Sequence, residues 1–288
     1  PAWAGWLVAQ RRGIPFVGFY HSNLPQLMGW RFGGRFTESV LGRYVRLVYE
    51  RCDLVLAPSR LMREYLRSLG VAQAVHQPLG VDAQVFTPAR RSDALRERLG
   101  LAANSRVLVY AGRFSEEKNL PILLRAFARL GSPYHLLLIG GARRARPAAN
   151  VTMLPYRRDS HELAQWIASA DALVHAGTKE TFGLVILEAM ACGRPVVAAR
   201  AGAFPEFVDD SVGALAEPHS AESMAEAIAA LYQRNLEAVG AAGRARVLRH
   251  FTWSRAFHLQ LAAYSSLLGA QRAPLADTPI LELRSPSS

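Results

Sequence analysis

A regular alternation of short apolar segments with longer segments of helical spacing is the feature that most constrains the fold of this sequence. Each apolar segment is continuous and bounded by breaker or polar residues, which is typical of a strand buried on both faces. Helices between such strands make the strands parallel and cover both faces of the sheet. We therefore predict an α/β protein. The predicted strands are 106–111, 135–139, 151–154, 172–175 and 195–198, and the predicted helices are 119–130, 160–168, 183–191 and 221–234.

A shorter unit of the same kind precedes this one. Ser59 is a suitable N-cap for one of its helices and Gly70 a suitable stop, because serine accepts from free N–H groups and glycine tolerates left-handed backbone. A connector rich in breakers, residues 78–88, separates the two units. The earlier unit has predicted strands at 14–20, 53–57 and 74–77 and predicted helices at 36–51 and 59–69.

The composition agrees with a globular protein of this kind. The chain has 288 residues, half of them apolar, which is enough for two domains of ordinary size. No apolar run reaches the ~20 residues that a membrane-spanning helix requires. Cys52 and Cys192 are the only cysteines, which argues against a disulfide framework and favours a reducing compartment. We therefore expect a cytoplasmic protein.

The net charge of +11 is carried almost wholly by arginine, since Lys118 and Lys179 are the only lysines. A basic chain is a candidate for binding nucleic acid. The sequence contains no RNA-binding motif and no interleaving of basic with aromatic residues, so we expect no nucleic-acid partner. The two lysines are the informative charges, because both fall within motifs that suit an anionic ligand.

The first of these motifs, GRFSEEKN at 112–119, follows a predicted strand and opens a predicted helix. Ligands of open parallel sheets bind at the carboxyl ends of strands. Gly112 would let a ligand approach the backbone, and Arg113 with Lys118 would hold a diphosphate. The alternative is an ordinary strand–helix turn with solvated charges. The phosphate loops GxxxxGK[ST] and GxGxxG are both absent.

The second motif, 179–190, places Glu180 just before a predicted helix and Glu188 within it. The free N–H groups at the start of a helix, here residues 181–184, favour an anion such as phosphate. Glu188 lies in an apolar run, and a buried carboxylate needs donors, which the hydroxyls of a sugar would supply. The alternatives are that Glu180 caps the helix and that Glu188 pairs with an arginine.

A third cluster, YHSN at 20–23, lies at the end of the first predicted strand. It again places polar residues where a parallel sheet presents its ligand face, although a lone histidine such as His21 is more often structural. No cysteine and histidine spacing suits zinc, and no Asp-x-Asp motif is present to hold a divalent metal on a nucleotide. No Gly-x-Ser-x-Gly elbow occurs either. We therefore expect no metal site.

Taken together, these motifs resemble the retaining glycosyltransferases of the GT-B fold that are often called family 4. The most specific part is the pair of glutamates in KETFGLVILEAMACGRPVVA, residues 179–198. The supporting parts are the 112–119 and 20–23 motifs, GVDAQVFTP at 80–88, AGAFPEFVDD at 201–210 and FTW at 251–253. The resemblance implies two Rossmann-like parallel-sheet domains that face a cleft.

The resemblance also implies a division of the chain. It makes residues 1–80 the C-terminal part of an acceptor-side domain and 81–250 the nucleotide-sugar-binding domain. Residues 251–268 are expected to form a final helix that returns to the first domain, and 269–288 a mobile tail. The family's first strand and its glycine-rich loop have no counterpart here, so we expect an incomplete N-terminal domain and a truncated chain.

Roles for individual residues follow from the resemblance. Arg113 and Lys118 would neutralise the departing diphosphate, and His21 would approach the transferred sugar. Glu180 would hold hydroxyls of that sugar and Glu188 those of the ribose. The catalytic set would be His21, Arg113, Lys118 and Glu180. The donor-binding set would be Gly112, Arg113, Lys118, Leu154, Tyr156, Glu180, Thr181, Phe182, Gly183, Leu184 and Glu188, with the base near 154–156.

The implied reaction is the transfer of a hexose from a nucleotide-diphosphate sugar to a lipid or glycan acceptor, with retention of configuration and without a metal or other cofactor. The resemblance favours mannose from GDP-mannose slightly over a sugar from a UDP donor, and no single residue decides between them. A nucleotide-sugar-binding module of the same fold, inactive as this chain, is the alternative. A departure from the family follows Gly141, where the segment is short and basic at Arg143, Arg144 and Arg146.

A cluster of arginines lies in and around the predicted helix 36–51. Such a face is able to dock a protein on an anionic membrane that carries a lipid acceptor, and it is equally typical of a solvated helix surface. The resemblance implies the first interpretation, a peripheral contact with the membrane. The arginines are Arg31, Arg35, Arg43, Arg46 and Arg51.

Overall fold

The computed structural model describes residues 2–32, 34–141 and 148–269, and in these residues two parallel sheets each pack against helices. The predicted α/β class is confirmed. In chain order the first unit contains α1 (Ala2–Arg12), β1 (Val17–Phe19), α2 (Leu24–Phe32), α3 (Gly34–Tyr49), β2 (Leu54–Ala57), α4 (Arg60–Ser68) and β3 (Ala74–His76).

The sheet of the first unit has the strand order β1-β2-β3, and all pairings are parallel. Every residue of the central strand β2 is buried, which explains its continuous apolar sequence. The predicted N-cap of the following helix is confirmed, because the Ser59 side chain accepts a hydrogen bond from the N–H of Met62.

The second unit contains a six-stranded parallel sheet and the remaining helices. The elements are η1 (Pro88–Arg90), α5 (Ala94–Arg98), β4 (Arg106–Ala111), η2 (Glu116–Lys118), α6 (Leu120–Leu130), β5 (Tyr134–Ile139), β6 (Val151–Leu154), α7 (Ser160–Ser169), β7 (Ala172–His175), α8 (Leu184–Ala191), β8 (Val196–Ala199), η3 (Phe204–Glu206), β9 (Gly213–Ala216), α9 (Ala221–Leu231), α10 (Leu236–His250) and α11 (Trp253–Gly269), where η denotes a 3-10 turn. The strand order is β6-β5-β4-β7-β8-β9.

Helices bury both faces of this six-stranded sheet. Along β4, Val107 and Val109 belong to the core on one face, whereas Leu108 and Tyr110 belong to the core on the other. Side chains of a strand alternate between the two faces, so a strand covered on both sides must be apolar at every position. This double burial is the physical cause of the alternation from which the fold class is predicted.

The chain returns to the first unit at its C-terminal helix. Val81 donates its N–H to the carbonyl of Phe251 at 2.8 Å and forms a parallel bridge with Thr252. From α11, the carbonyl of Ala256 accepts a hydrogen bond from Nε2 of Gln77 at 2.9 Å. The last helix of the second unit is thereby fixed to the end of the first.

Several elements differ from the sequence-based prediction. The strand predicted at 14–20 is limited to β1, and the helix predicted at 36–51 begins at Gly34. The helices α1, α2, α5 and α10 and the strand β9 are not anticipated. The strand β9 is four residues long and begins at a glycine, and α10 contains Gly240, where a Cβ would lie 2.0 Å from the carbonyl oxygen of Gly193. This glycine, an expected helix breaker, is required by close packing.

Some predictions fall on residues outside the described ranges. These are the basic positions Arg143, Arg144 and Arg146 and the tail from 270 onwards, while α11 ends at Gly269. None of the helices in the described part of the chain combines the length and apolar character needed to cross a bilayer.

Candidate active site at the sheet crevice

The two loops that carry the main sequence motifs flank the same crevice. Strand β4 pairs with β5 on one side and with β7 on the other, so the chain connections leave in opposite directions at this point. Such a reversal opens a crevice at the carboxyl ends of the strands, where ligands of open α/β sheets bind. The loop after β4 carries 112–119 and the loop after β7 carries 176–183.

Lys118 and Glu180 form an ion pair across this crevice. Nζ of Lys118 donates to Oε1 of Glu180, and the two side chains are only 15% and 16% exposed. Asn119 adds a second link, because its Nδ2 donates to the carbonyl of Ala176 at 3.1 Å. The capping role considered for Glu180 is wrong: Gly183 caps α8, and the Glu180 carboxylate is engaged by Lys118 instead.

Behind this ion pair lies His175, the last residue of β7. Its Nε2 is 3.4 Å from Oε1 of Glu180, and its Nδ1 accepts a hydrogen bond from the N–H of Gly177 at 3.0 Å. Burial lowers the pKa of His175 to about 4; Glu180 opposes this lowering and Lys118 adds to it. The ring is therefore neutral near pH 7, and its single proton lies on Nε2, facing Glu180.

Helix α8 begins at the same crevice. Its N-cap Gly183 has φ +82°, and a Cβ there would lie 2.5 Å from Phe204, so this position requires glycine. Within the described residues, the N–H groups of Phe182 and Gly183 have no acceptor, which leaves them available to an anion. The Phe182 side chain is buried against Phe207, so only its main chain is able to contact a ligand. Leu184, the first residue of α8, is partly buried against the core.

Glu188 stands on the second turn of α8 with its carboxylate in an apolar setting. Burial raises the pKa of Glu188 to about 7, so the carboxyl is about half protonated at neutral pH. The alternative pairing with an arginine does not occur among the described residues. Cys192, one turn further on the same helix face, lies with Sγ 3.8 Å from the carbonyl of Ala164 in α7. The Glu188 face is thus directed towards α7, the helix that follows the predicted base site.

The predicted histidine motif meets this crevice from the first unit. The hydroxyl of Thr181 donates a hydrogen bond to the main-chain carbonyl of His21 at 3.0 Å. The His21 ring stacks on Phe19, with 5.2 Å between ring centroids. The structure therefore brings together four of the predicted site residues, His21, Lys118, Glu180 and Thr181.

Other predicted residues lie at the rim. Arg113 is 78% exposed and 3.9 Å from Glu117, and Tyr156 is 65% exposed beyond the end of β6. Leu154 ends β6 and packs partly against the core. Gly112 directly follows β4 and donates its N–H to the carbonyl of Ile139 at 2.9 Å. In the part of the chain that the structure describes, none of these residues contacts Lys118 or Glu180.

Sequence reasoning missed three residues that shape this region. Asn119 connects the two loops of the crevice, and His175 faces the carboxylate of Glu180. Glu206 joins the two units. Glu206 accepts hydrogen bonds from the N–H groups of Arg60 at 2.8 Å and Leu61 at 2.9 Å, at the start of α4. The available signal for His175 was a single polar residue in an otherwise apolar predicted strand.

Residues able to hold a metal are not clustered in this region. Over the described ranges, no group of three or more histidine, cysteine, aspartate or glutamate side chains is arranged to bind an ion. The arginine cluster is only partly free: Arg35 and Arg43 are exposed, Arg46 pairs with Glu50 at 3.3 Å, and the guanidinium of Arg51 lies 4.5 Å from the ring of Trp3. The side chain of Arg31 is outside the described part.

Two family models match the chain. Residues 105–234, which contain the crevice of the second unit, match the family described as glycosyl transferases group 1. Residues 1–85 match the family described as glycosyltransferase family 4.

Curated proteins of similar sequence carry related descriptions. The D-inositol 3-phosphate glycosyltransferase of Xylanimonas cellulosilytica is 33% identical in a gapped alignment of 290 positions, which covers 91% of this chain and 69% of that protein. The GDP-mannose-dependent alpha-(1-6)-phosphatidylinositol dimannoside mannosyltransferase of Mycobacterium tuberculosis is 30% identical over 272 residues, covering 91% of this chain and 71% of that protein.

Solved structures share the arrangement of both units. Sucrose-phosphate synthase from Thermosynechococcus elongatus superimposes with a TM-score of 0.80 at 26% identity, over 93% of this chain and 72% of that one. HepE of Anabaena, in complex with UDP and glucose, superimposes with a TM-score of 0.75 at 22% identity, over 92% of this chain and 75% of that one.

Proposed function

The chain belongs to the glycosyl transferases group 1 family and has the GT-B fold, and we propose that it transfers a hexose from a nucleotide-diphosphate sugar to a lipid or glycan acceptor. The observation that carries this proposal is the crevice between β4 and β7. A partly buried Lys118–Glu180 pair lies across it, and α8 begins beside it with two N–H groups that have no acceptor in the described part of the chain. Glu188 stands on the second turn of that helix.

The donor diphosphate is proposed to bind between Lys118 and the start of α8. An ammonium group has three N–H donors, so Lys118 is able to retain Glu180 while it donates to a phosphate. Arg113, exposed at the rim, would close on the diphosphate from solvent. Together with the helix N-terminus these cations stabilise the departing nucleoside diphosphate without a metal.

Two carboxylates are proposed to recognise the donor through hydrogen bonds from its hydroxyl groups. Glu180 would accept from hydroxyls of the transferred sugar, and Glu188 from the vicinal hydroxyls of the ribose. Supporting this assignment, the Glu188 face of α8 is directed towards α7, the helix that follows the end of β6, where Leu154 and Tyr156 are proposed to contact the base.

The first unit is proposed to supply the acceptor side, with His21 beside the reacting sugar. The hydrogen bond between Thr181 and the His21 carbonyl supports this placement, because it fixes the histidine loop next to Glu180. We propose retention of configuration by front-face attack, since no further carboxylate is assigned as a nucleophile. The acceptor would then be deprotonated on the face from which the diphosphate leaves.

The donor and acceptor are proposed from the relatives. The mycobacterial relative is described as GDP-mannose-dependent, so GDP-mannose is the donor to test first, ahead of UDP-glucose. Both relatives are described by acceptors that contain inositol, which makes an inositol phosphate head group the acceptor to test first. A peripheral contact with anionic membrane through Arg35 and Arg43 would bring a lipid acceptor to the cleft.

The test is a transfer assay with GDP-mannose and an inositol phosphate acceptor in the presence of EDTA. The proposal predicts GDP release that depends on the acceptor, and a product whose one-bond C1–H1 coupling in NMR shows the same anomeric configuration as the donor. Release that needs a divalent metal, or a product of inverted configuration, contradicts the proposed mechanism. Donor binding without any turnover supports the alternative of an inactive binding module.

A further inference from the structure

We propose that His175 is a positioning residue for the reaction proposed above: its Nε2–H group fixes one oxygen of Glu180, so that the other oxygen is presented to the donor sugar. This inference rests on the proposed function, because it assigns a direction to the Glu180 carboxylate. His175 is only 2% exposed and does not reach the donor itself.

The first support is that the contacts to the two Glu180 oxygens are unequal. Oε1 receives Nζ of Lys118 and faces Nε2 of His175 at 3.4 Å. Oε2 has no partner among the described residues. A carboxylate oxygen that retains both lone pairs is the better acceptor for a ligand hydroxyl. The pair of contacts on Oε1 therefore directs the free oxygen into the crevice.

The second support is the tautomer of the ring. Because Nδ1 accepts from the N–H of Gly177 at 3.0 Å, the neutral ring must carry its proton on Nε2. Burial lowers the pKa of His175 to about 4, so this neutral form holds at all pH values at which the protein would be assayed. Of the charged groups that face the ring, Glu180 favours protonation and Lys118 opposes it.

The third support is the aromatic packing that fixes the position of the His175 ring. Tyr110 lies 5.2 Å away between ring centroids and Phe204 lies 4.9 Å away, in edge or tilted contacts. The 3.4 Å separation from Glu180 is longer than that of a strong hydrogen bond. The ring thus acts by charge–dipole attraction from a fixed place, and its packing prevents the carboxylate from swinging towards β7.

A core-filling role alone does not account for this residue. A buried imidazole costs free energy unless its nitrogens find partners, and an apolar side chain would fill the same space without that cost. His135 in strand β5, which β4 separates from β7, is a second buried histidine and offers a matched control. Its Nε2 contacts Oγ1 of Thr152 at 2.9 Å and it has no contact with Glu180.

The experiment compares His175→Met, His175→Gln and His135→Met with the unaltered chain, using calorimetry with GDP, GDP-mannose, UDP and UDP-glucose for affinity and the transfer assay described above for rate. Methionine conserves volume and removes the donor, whereas glutamine retains an N–H group at similar reach. We expect His175→Met to bind the nucleotide sugar about tenfold more weakly and to transfer the sugar about tenfold more slowly. Its affinity for the free nucleoside diphosphate should be unchanged. His175→Gln should stay within about threefold of the unaltered chain, and His135→Met should match it.

Several outcomes overturn the inference. One is a folded His175→Met variant with the same affinities for nucleotide sugar and for free nucleoside diphosphate as the unaltered chain. Another is an equal loss of affinity for both ligands. An unaltered chain that binds none of the four ligands overturns the proposed function itself. The tautomer is then still testable by ¹⁵N NMR of the imidazole, with His175→Gln to assign its signals: a proton on Nε2 supports the inference, and a proton on Nδ1 overturns it.

Discussion

The hydroxyl of Thr181 donates a hydrogen bond to the main-chain carbonyl oxygen of His21, with 3.0 Å between the two oxygens. The two residues are far apart in the sequence and lie in loops that follow strands of different sheets. Thr181 follows Glu180 directly, so this contact connects the loop of the Lys118–Glu180 pair to the loop after β1.

Removing the Thr181 hydroxyl should slow transfer without unfolding the chain. Thr181→Val conserves shape and removes one hydrogen bond, whose net worth is about 0.5–1.5 kcal/mol. We expect a two- to tenfold loss in kcat with roughly unchanged donor affinity. Thr152→Val, which alters a threonine that contacts His135 instead, is the matched control for steady-state kinetics. Equal effects of the two variants would argue against a role for the junction.

Lys118 should govern affinity for the diphosphate. Lys118→Met retains the apolar stem and removes the cation that pairs with Glu180. We expect affinity for GDP and UDP to fall by tenfold or more, because a charge-assisted contact to phosphate is worth roughly 1.5–3 kcal/mol. Arg129→Met, at an exposed arginine paired with Glu222, serves as the control. Calorimetry that finds the same GDP affinity in both variants would remove Lys118 from the donor site.

The pH dependence of donor binding should report on Glu188. Its folded-state pKa of about 7 lies above the ordinary value of 4.5, so ionisation costs stability as pH rises between these values. Ribose hydroxyls that donate to the carboxylate favour the ionised form. Affinity for GDP-mannose should therefore rise about eightfold between roughly pH 6 and pH 7.5, with release of a proton. GDP-mannose suits this measurement because its diphosphate, esterified at both ends, does not titrate in this range.

Glu188→Gln is the control for that pH dependence, since an amide does not titrate. Its affinity for GDP-mannose should be lower and flat across the same range, and binding should release no proton when buffers of different ionisation enthalpy are compared. A glutamine variant with the same slope as the unaltered chain would assign the proton to another group.

Glu206 should contribute to stability through α4. Its two oxygens accept hydrogen bonds from the N–H groups of Arg60 and Leu61, which have no other acceptor within residues 2–32, 34–141 and 148–269. Glu206→Ala leaves both donors without a partner, and we expect a loss of about 2 kcal/mol in the free energy of unfolding by urea. Glu222→Ala, at a surface ion pair, should cost under about 1 kcal/mol. A Glu206→Ala loss no larger than this would show that the contact between the units is not formed in solution.

Local sequence signals predicted much of the fold. Strands such as β4 are apolar because helices cover both faces, and Ser59 caps α4 through its own hydroxyl, so both could be inferred from neighbouring residues. The strand β9 and the helix α10 were missed because their glycines Gly213 and Gly240 are required by close packing against Val196 and Gly193, which local propensity does not encode.

The sequence predicted which residues belong to the candidate site better than it predicted the contacts between them. Lys118 and Glu180 were both inferred from their motifs, yet their ion pair joins residues 62 positions apart and depends on β4 and β7 being neighbours. His175 was missed for the same reason, since its sequence context is that of a buried strand. Its partner Glu180 becomes apparent only once the loop after β7 is placed.

The most direct test of the central claim is a calorimetric titration of the chain with GDP-mannose in the presence of EDTA, repeated with Glu188→Ala. We expect saturable binding of one donor per chain without metal. In the variant, which remains folded, the affinity should be at least about tenfold weaker, since charged hydrogen bonds are lost. Equal affinity in the two proteins, or no binding of GDP-mannose by the unaltered chain, would contradict the account.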